Sequence, residues 1–153
     1  MATGDTSRLD LDEGLLTRLA RLDLLVGQAL DTVTAAAGVA TADYMVLGVV
    51  RRSPGGRSSP TAISEVLGRT TGGMTLALDR LEGAGWVRRL PDPADGRRVV
   101  VELTSSGSML ARQVNDALHR WERSLGIADD SRRITGVLDE LADVLAAHPP
   151  DEH

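Results

Sequence analysis

The segment from Ser59 to Leu103 places the strongest constraint on how this chain can fold. Its pattern predicts two short helices, a turn that ends the second helix, and a basic hairpin: SPTAISEVLGR, TTGGMTLALDRLEGAG, WVRRL, PDPADGRR and VVVEL. A second helix of this kind fits the major groove of duplex DNA, and a ribbon with arginines at its tip reaches the neighbouring backbone or minor groove. We therefore predict a mainly α fold with a small β-hairpin.

Local signals predict where the first short helix begins and ends. Ser59 directly precedes Pro60, which is the favoured order for an N-cap and the first helical residue. Gly68 is predicted to end the helix. Its expected buried face consists of three apolar residues: Ile63, Val66 and Leu67.

The second helix is predicted to begin at Thr70 or Thr71, since either hydroxyl could cap its first turn. Its expected core face repeats apolar residues at steps of four and three: Met74, Leu78 and Leu81. Hydroxyl groups and a helix N-terminus both favour phosphate, so the opposite face is the predicted DNA surface. Gly72 and Gly73 each lower helix stability by up to ~1 kcal/mol relative to alanine. Two explanations for them stay open: a tolerated loose helix end, or a close approach of the backbone to DNA.

The hairpin is the second predicted contact element. Its return strand alternates apolar residues that we expect to be buried: Val99, Val101 and Leu103. The loop of residues 91–98 contains Pro, Asp and Gly, which favour a turn projecting into solvent. Asp95 can pair with Arg97 or a neighbouring arginine, and Arg97 and Arg98 would then reach phosphates or a narrow minor groove. A charged hairpin tip can also be merely solvated. Contact with DNA is the favoured interpretation here because a helix that fits the major groove precedes the hairpin.

Charge is distributed unevenly along the chain, whose net charge is −5. Residues 51–103 contain nine arginines and six acidic residues, so this region is weakly basic between acidic flanks. Because salt screens each charge beyond ~10 Å, such a region can still bind DNA.

The predicted DNA-contacting residues lie at the starts of both short helices, along the second helix and at the hairpin tip: Ser59, Thr61, Thr70, Thr71, Gly72, Gly73, Thr75, Leu76, Arg80, Asp95, Arg97 and Arg98.

The N-terminal flank is predicted to contain two helices. Asp10 and Glu13 form a capping-box-like start, followed by an apolar stripe on one helix face. This stripe consists of Leu15, Leu19, Leu22, Val26, Leu30 and Val33. Thr41 is predicted to cap a second, largely apolar and buried helix, which the sequence Ser-Pro-Gly-Gly at 53–56 ends.

The C-terminal flank predicts two more amphipathic helices. Thr104 is expected to cap the first, Gly126 and residues 129–131 to break the chain, and Pro149-Pro150 to end the second. The apolar stripes of the flanking helices have a larger area than the region of about fifty residues between the flanks, the head, could cover. We therefore expect the flanks to pair in a homodimer, with an intramolecular bundle as the alternative. A dimer would set two heads on half-sites ~34–36 Å apart.

Composition excludes several other classes of function. The absence of cysteine removes disulfides, thiolate metal sites and sensing by thiol oxidation. The three histidines are scattered, and no catalytic or nucleotide-binding motif is present, so we predict no enzyme, no cofactor and no metal site. Few aromatic residues argue against a single-strand stacking platform. Apolar runs shorter than ~18 residues and a polar N-terminus predict a cytoplasmic protein with no membrane partner.

Three motifs resemble those of the MarR family of winged-helix transcription regulators. They are D-R-L-E-x-x-G-W-V-R-R at 79–89, D-P-x-D-x-R at 92–97 and L-T-x-x-G at 103–107, within a similarity that spans nearly the whole chain. The resemblance implies one MarR-type domain over residues 1–153. It also implies a winged helix-turn-helix head at 41–103, carried by dimerisation helices at 10–36 and 104–148.

For function, the resemblance implies a homodimeric transcriptional repressor that binds double-stranded DNA at a pseudo-palindromic operator. A small lipophilic or aromatic effector would release it, and a family-type pocket leaves Tyr44 and Trp121 as either pocket or core residues. The resemblance assigns Asp95 to stabilising the wing and Arg97 to DNA at its tip. The alternative function is a non-enzymatic winged-helix module that binds a protein, which a weak dependence of binding on salt would reveal.

The chain departs from the family pattern at two places. Leu76 and Ala77 follow Thr75 where members commonly carry Arg, Asn or Lys, and Gly96 replaces a residue that is basic in many relatives. We therefore expect weaker direct base readout and more reliance on phosphate contacts and DNA shape.

Overall fold

The structure is a computed structural model that describes residues 14–148. Its helices are α1 Leu15–Ala36, α2 Thr41–Arg52, α3 Pro60–Leu67, α4 Thr71–Gly83, α5 Ser105–Ser124 and α6 Ser131–Ala147. Its strands are β1 Arg57–Ser58, β2 Val87–Pro91 and β3 Val99–Leu103, and short 3-10 turns occupy Pro54–Gly56 and Ala128–Asp130. The predicted mainly α fold with a wing is confirmed. The predicted signals at Asp10, Glu13 and Pro149-Pro150 lie outside the described residues.

The chain divides into two compact units after Asn115. The first unit contains the winged head, and the second contains the end of α5 together with α6. No helix within residues 14–148 is by itself long and apolar enough to cross a membrane. Helices α1 and α2 reach the required length and hydropathy only as a pair, and they are bent by 88° relative to each other.

The core of the head confirms the predicted burial of α2 and of the apolar face of α4. Its buried members come from α2, α3, α4, the sheet and the start of α5: Val46, Leu47, Val49, Val50, Ile63, Met74, Leu78, Leu81, Val87, Val101 and Ala111. Helix α2 supplies four members of this set, more than any other element, and most of its length is buried. The core therefore fixes α4 against α2 and leaves the N-terminal half of α4 with one face toward solvent.

The wing has three strands, whereas the sequence predicted two. The order is β1-β3-β2, all antiparallel, and Arg57 in β1 lies opposite Glu102 in β3. Arg88 in β2 lies opposite the same glutamate. A strand of two residues is too short for an alternating pattern, so β1 left no signal in the sequence.

Helix α5 begins where the backbone of Trp86 approaches it closely. A Cβ atom placed on Gly107 would lie 1.9 Å from the carbonyl oxygen of Trp86, so only glycine fits at this position. Thr104 is the predicted cap, and its hydroxyl accepts a hydrogen bond from the Gly107 amide at 3.1 Å. The Thr104 amide donates to the same Trp86 oxygen at 3.0 Å. These contacts explain the L-T-x-x-G motif and join the wing to α5.

Three local predictions were wrong. Val66 is 68% exposed, because Ser64 takes the inward position beside Ile63 and donates its hydroxyl proton to the Pro60 carbonyl oxygen at 3.0 Å. Val99 is 43% exposed, because it lies at the outer end of β3, beside the wing tip. Thr41 does not cap α2.

The cap position of α2 belongs to Ala40, and Thr41 is the first helical residue. The hydroxyl of Thr41 lies 2.8 Å from the hydroxyl of Thr34 and also donates to the Asp31 carboxylate. This side chain therefore ties α1 to α2 and makes no cap hydrogen bond.

Candidate nucleic-acid interface

The N-terminus of α4 is capped by Thr70, which settles the predicted choice between two threonines. The Thr70 hydroxyl accepts a hydrogen bond from the Gly73 amide at 3.2 Å, and Thr71 is the first helical residue. The Thr75 hydroxyl donates to the carbonyl oxygen of Thr71 at 3.1 Å. Residues 70–73 are all exposed, so this end of the helix faces solvent.

One face of α4 is exposed along its whole length. Helical spacing brings Gly72, Thr75, Leu76 and Asp79 together on this face, opposite the buried core residues. Leu76 is 67% exposed. Ala77 is 1% exposed and belongs to the core, so it does not occupy a position from which a side chain could read bases. Of the two residues that depart from the family pattern in this helix, only Leu76 faces outward.

The start of α3 and the wing together form an open cleft of about 710 Å³. Its lining comes from β1, the start of α3 and both sides of the wing: Arg57, Ser58, Ser59, Pro60, Thr61, Asp92, Arg98, Val99 and Val100. Ser59 is the predicted cap of α3 and accepts a hydrogen bond from the Ala62 amide at 3.1 Å. Three predicted contact residues, Ser59, Thr61 and Arg98, therefore line the same cleft.

The wing tip is held by Asp95. Its carboxylate accepts a hydrogen bond from the backbone amide of Arg97 at 3.1 Å and lies 3.4 Å from Nε of Arg98. The carbonyl oxygen of Asp95 also accepts from the Arg98 amide at 2.8 Å. The ion pair thus forms with Arg98, and the guanidinium of Arg97 has no ion-pair partner within residues 14–148.

Arg80 lies one helical turn beyond Leu76 on α4, and it is paired with an acidic residue of α2. It lies in the last turn of α4, where its Nε donates to the Asp43 carboxylate at 2.9 Å. Asp43 is 4% exposed. The hydrogen bonds and charge of Asp43 raise the pKa of Arg80 above its ordinary value. The guanidinium of Arg80 therefore fastens α4 to α2.

Glu102 connects all three strands of the wing. Its carboxylate accepts hydrogen bonds from Nε of Arg57 at 2.7 Å and from the guanidinium of Arg88. These hydrogen bonds, that from Arg57 foremost, lower the pKa of Glu102 below its ordinary value. The carboxylate therefore stays charged and holds β1 and β2 on either side of β3.

Two further arginines escaped the sequence reasoning. Arg69 immediately precedes the Thr70 cap, and its guanidinium donates to the carbonyl oxygen of Ala42 at 3.3 Å, with no acidic partner among the described residues. Arg89 bonds to Asp79 at 2.7 Å and to Glu82 at 2.6 Å, which neutralises acidic side chains on α4. Arginines in turns and strands carry no periodic signal, so only the structure revealed these roles.

Comparison with known proteins agrees with this geometry. The family model for the MarR family matches residues 37–98. The chain is 37% identical over 122 residues to the HTH-type transcriptional regulator PecS of Dickeya dadantii, covering 77% of this chain and 74% of PecS. The chain therefore belongs to the MarR family of DNA-binding transcriptional regulators, which are not enzymes. The family, fold class and functional class predicted from the sequence are confirmed.

Solved structures show the same fold. The structure of a mutant MarR from E. coli complexed with operator DNA is 28% identical, with a TM-score of 0.64 over 84% of this chain and 99% of that one. The structure of the Multiple Antibiotic Resistance Repressor, MarR, is 26% identical, with a TM-score of 0.71 over 88% of this chain and 99% of that one.

Proposed function

We propose that this regulator is a homodimeric repressor that binds a pseudo-palindromic operator in the cytoplasm. Helix α4 would enter the major groove, and the wing would lie on the adjacent backbone or minor groove. The observation that carries this proposal is the exposed N-terminal half of α4, together with the open cleft that contains Ser59, Thr61 and Arg98. A phosphate backbone fits such a surface, since helix N-termini and guanidinium groups both bind phosphate.

Repression of an operator is supported by the relatives. MarR of E. coli has been crystallised with operator DNA, and a structure of the same fold is described as a repressor. The charge of the head supports phosphate contacts at few positions, because five of its nine arginines already pair with acidic residues: Arg57, Arg80, Arg88, Arg89 and Arg98. Of the four others, Arg97 at the wing tip and Arg69 beside the start of α4 lie within the proposed contact elements and are the strongest candidates to bind phosphate.

The homodimer is supported by apolar side chains that the described chain leaves exposed. They lie on α1 and α6: Leu15, Leu16, Leu22, Leu24, Leu25, Val26, Val137, Leu138, Val144 and Leu145. No residue of α6 is buried. Apolar surface of this extent on each of these two helices marks an interface, and pairing with a second copy about a two-fold axis would cover it.

A small lipophilic or aromatic effector completes the proposal. Of the two aromatic candidates, Tyr44 is buried in the head and Trp121 lies half-exposed on α5. Sensing by thiol oxidation does not apply to a chain without cysteine. An effector would bind the free dimer more tightly than the DNA-bound dimer, so it would lower operator affinity and raise the melting temperature of the protein.

The test is binding of the purified protein to DNA that flanks its own gene, measured by fluorescence anisotropy at several salt concentrations against scrambled duplex. Specific binding that weakens by roughly one log unit per log of salt for each phosphate contact would support the proposal. Sedimentation of the free protein should give the mass of two chains. Salt-insensitive or absent binding by a well-folded dimer would overturn it and favour the protein-binding alternative.

A further inference from the structure

The outward surface of α4 is poor in groups that read bases by hydrogen bonds. Its exposed face carries no Arg, Lys, Asn or Gln over residues 71–79, and Arg80, one turn beyond Leu76, is paired with Asp43. The Thr75 hydroxyl proton is donated to the backbone of its own helix, and the Thr70 hydroxyl accepts from the Gly73 amide. Asp79 is held by Arg89 at 2.7 Å. The large apolar side chain on this face is that of Leu76, which is 67% exposed.

Gly72 lies one turn before Leu76 on the same face, and the fold does not require a glycine there. A Cβ atom at Gly72 would have no other atom within 4 Å, and its backbone is in the ordinary helical region. Gly73 differs, because a Cβ there would lie 3.2 Å from the hydroxyl oxygen of its cap residue, Thr70. A glycine in the first turn weakens a helix without any return from packing. Gly72 instead leaves a flat surface beside the Leu76 side chain, over which a base edge can approach the backbone.

Thymine is the base that presents an apolar group in the major groove, namely its C5 methyl. We infer that Leu76, beside the open surface at Gly72, recognises a thymine in each half-site by apolar contact with this methyl group. The inference rests on the proposed function and adds to it the chemical basis of base specificity. Leu76 thus contacts a methyl group of the base at a position where family members commonly carry a side chain that forms hydrogen bonds with bases.

The experiment compares thymidine with deoxyuridine, which differ only in the C5 methyl of the base. The protein first selects duplexes from a pool with a randomised core of roughly two helical turns, a length that spans both half-sites. Each thymine of the selected duplex is then replaced by deoxyuridine, one position at a time. Affinities are measured for the natural chain, for Leu76→Ala and for Val66→Ala, a matched control whose side chain is 68% exposed on α3.

We expect one thymine per half-site at which deoxyuridine weakens binding by the natural chain roughly fourfold, the value of one buried methyl-sized group. Leu76→Ala should bind both duplexes equally, and Val66→Ala should retain the difference. If every thymine can be replaced without loss, or if Leu76→Ala keeps the same sensitivity, the inference is overturned while the DNA-binding function stands. Failure to select any sequence would instead overturn the proposed function itself.

Discussion

The surface proposed to contact DNA differs from the residues that support it in how many partners each has within the chain. The supporting residues, here called the supports, have hydrogen-bond and packing partners, whereas residues of the contact surface have fewer of them. Among the supports, Glu102 accepts hydrogen bonds from two arginines, and Gly107 packs against the carbonyl oxygen of Trp86. On the contact surface, Arg97 has no ion-pair partner within residues 14–148, and Gly72 faces open space. Substitutions in the supports should therefore lower stability, whereas substitutions on the contact surface should lower DNA affinity and leave stability unchanged or higher.

The largest effect is expected at Gly107. In Gly107→Ala the new Cβ meets backbone, which cannot rotate away as a side chain could. Overpacking of this kind costs about 3 kcal/mol of unfolding free energy or more, because the wing and α5 must separate. Urea unfolding measures the loss. Gly136→Ala in α6 is the matched control, since a Cβ there meets nothing within 4 Å, and it should be neutral or slightly stabilising.

Arg97→Ala should produce the second largest effect, and on DNA binding alone. Loss of one charge-assisted phosphate contact per half-site predicts affinity weaker by about tenfold for each half-site, with a shallower dependence on salt. Anisotropy titrations across salt concentrations measure both quantities, and Arg97→Lys should recover most of the salt dependence because it keeps the charge. If the alanine variant bound DNA as tightly as the natural chain, the wing tip would have to be removed from the proposed interface.

Glu102→Gln tests the support of the wing through its dependence on pH. The pKa of Glu102 is lower in the folded chain than its ordinary value of 4.5, so the unfolded chain binds more protons between the two values. The stabilisation by the carboxylate is therefore complete above pH 4.5 and is lost as the pH falls through the lowered pKa. Thermal unfolding should show the natural chain losing stability more steeply than Glu102→Gln in this acidic range. Parallel curves would mean that the two arginines contribute nothing to stability through this carboxylate.

Gly72→Ala is expected to have the smallest overall effect, a small gain in stability together with a loss of DNA affinity. Alanine in the first turn should raise the unfolding free energy by up to about 1 kcal/mol, since it restricts the unfolded chain and fits the helical backbone. The same methyl group would hold a base edge away from α4, so DNA affinity should fall severalfold. Chemical unfolding and anisotropy on one preparation measure both, and a gain in stability without a loss of affinity would place Gly72 outside the DNA contact.

Prediction from the sequence succeeded where the signal lies within a few residues. The caps at Ser59, Thr70 and Thr104 were predicted from the residue at the helix start, although Thr71 had remained an alternative to Thr70. At Thr41 the same reasoning failed, because its hydroxyl is occupied by partners on α1. Periodicity identified the core face of α4 but did not distinguish the outward Val66 from the inward Ser64 on α3.

By itself, the sequence determined the order of the helices and the position of the wing, because capping, periodicity and turn chemistry depend on neighbouring residues. Its motifs at 79–89, 92–97 and 103–107 carried the resemblance to the MarR family, which the comparisons confirmed. The tertiary structure decided that Arg80 pairs with Asp43, that Glu102 joins three strands and that Leu76, not Ala77, faces outward. These outcomes depend on which distant residues meet. Long-range packing of α2 against α4, and of the two-residue β1 against β3, brings those residues together without leaving any mark in a local pattern.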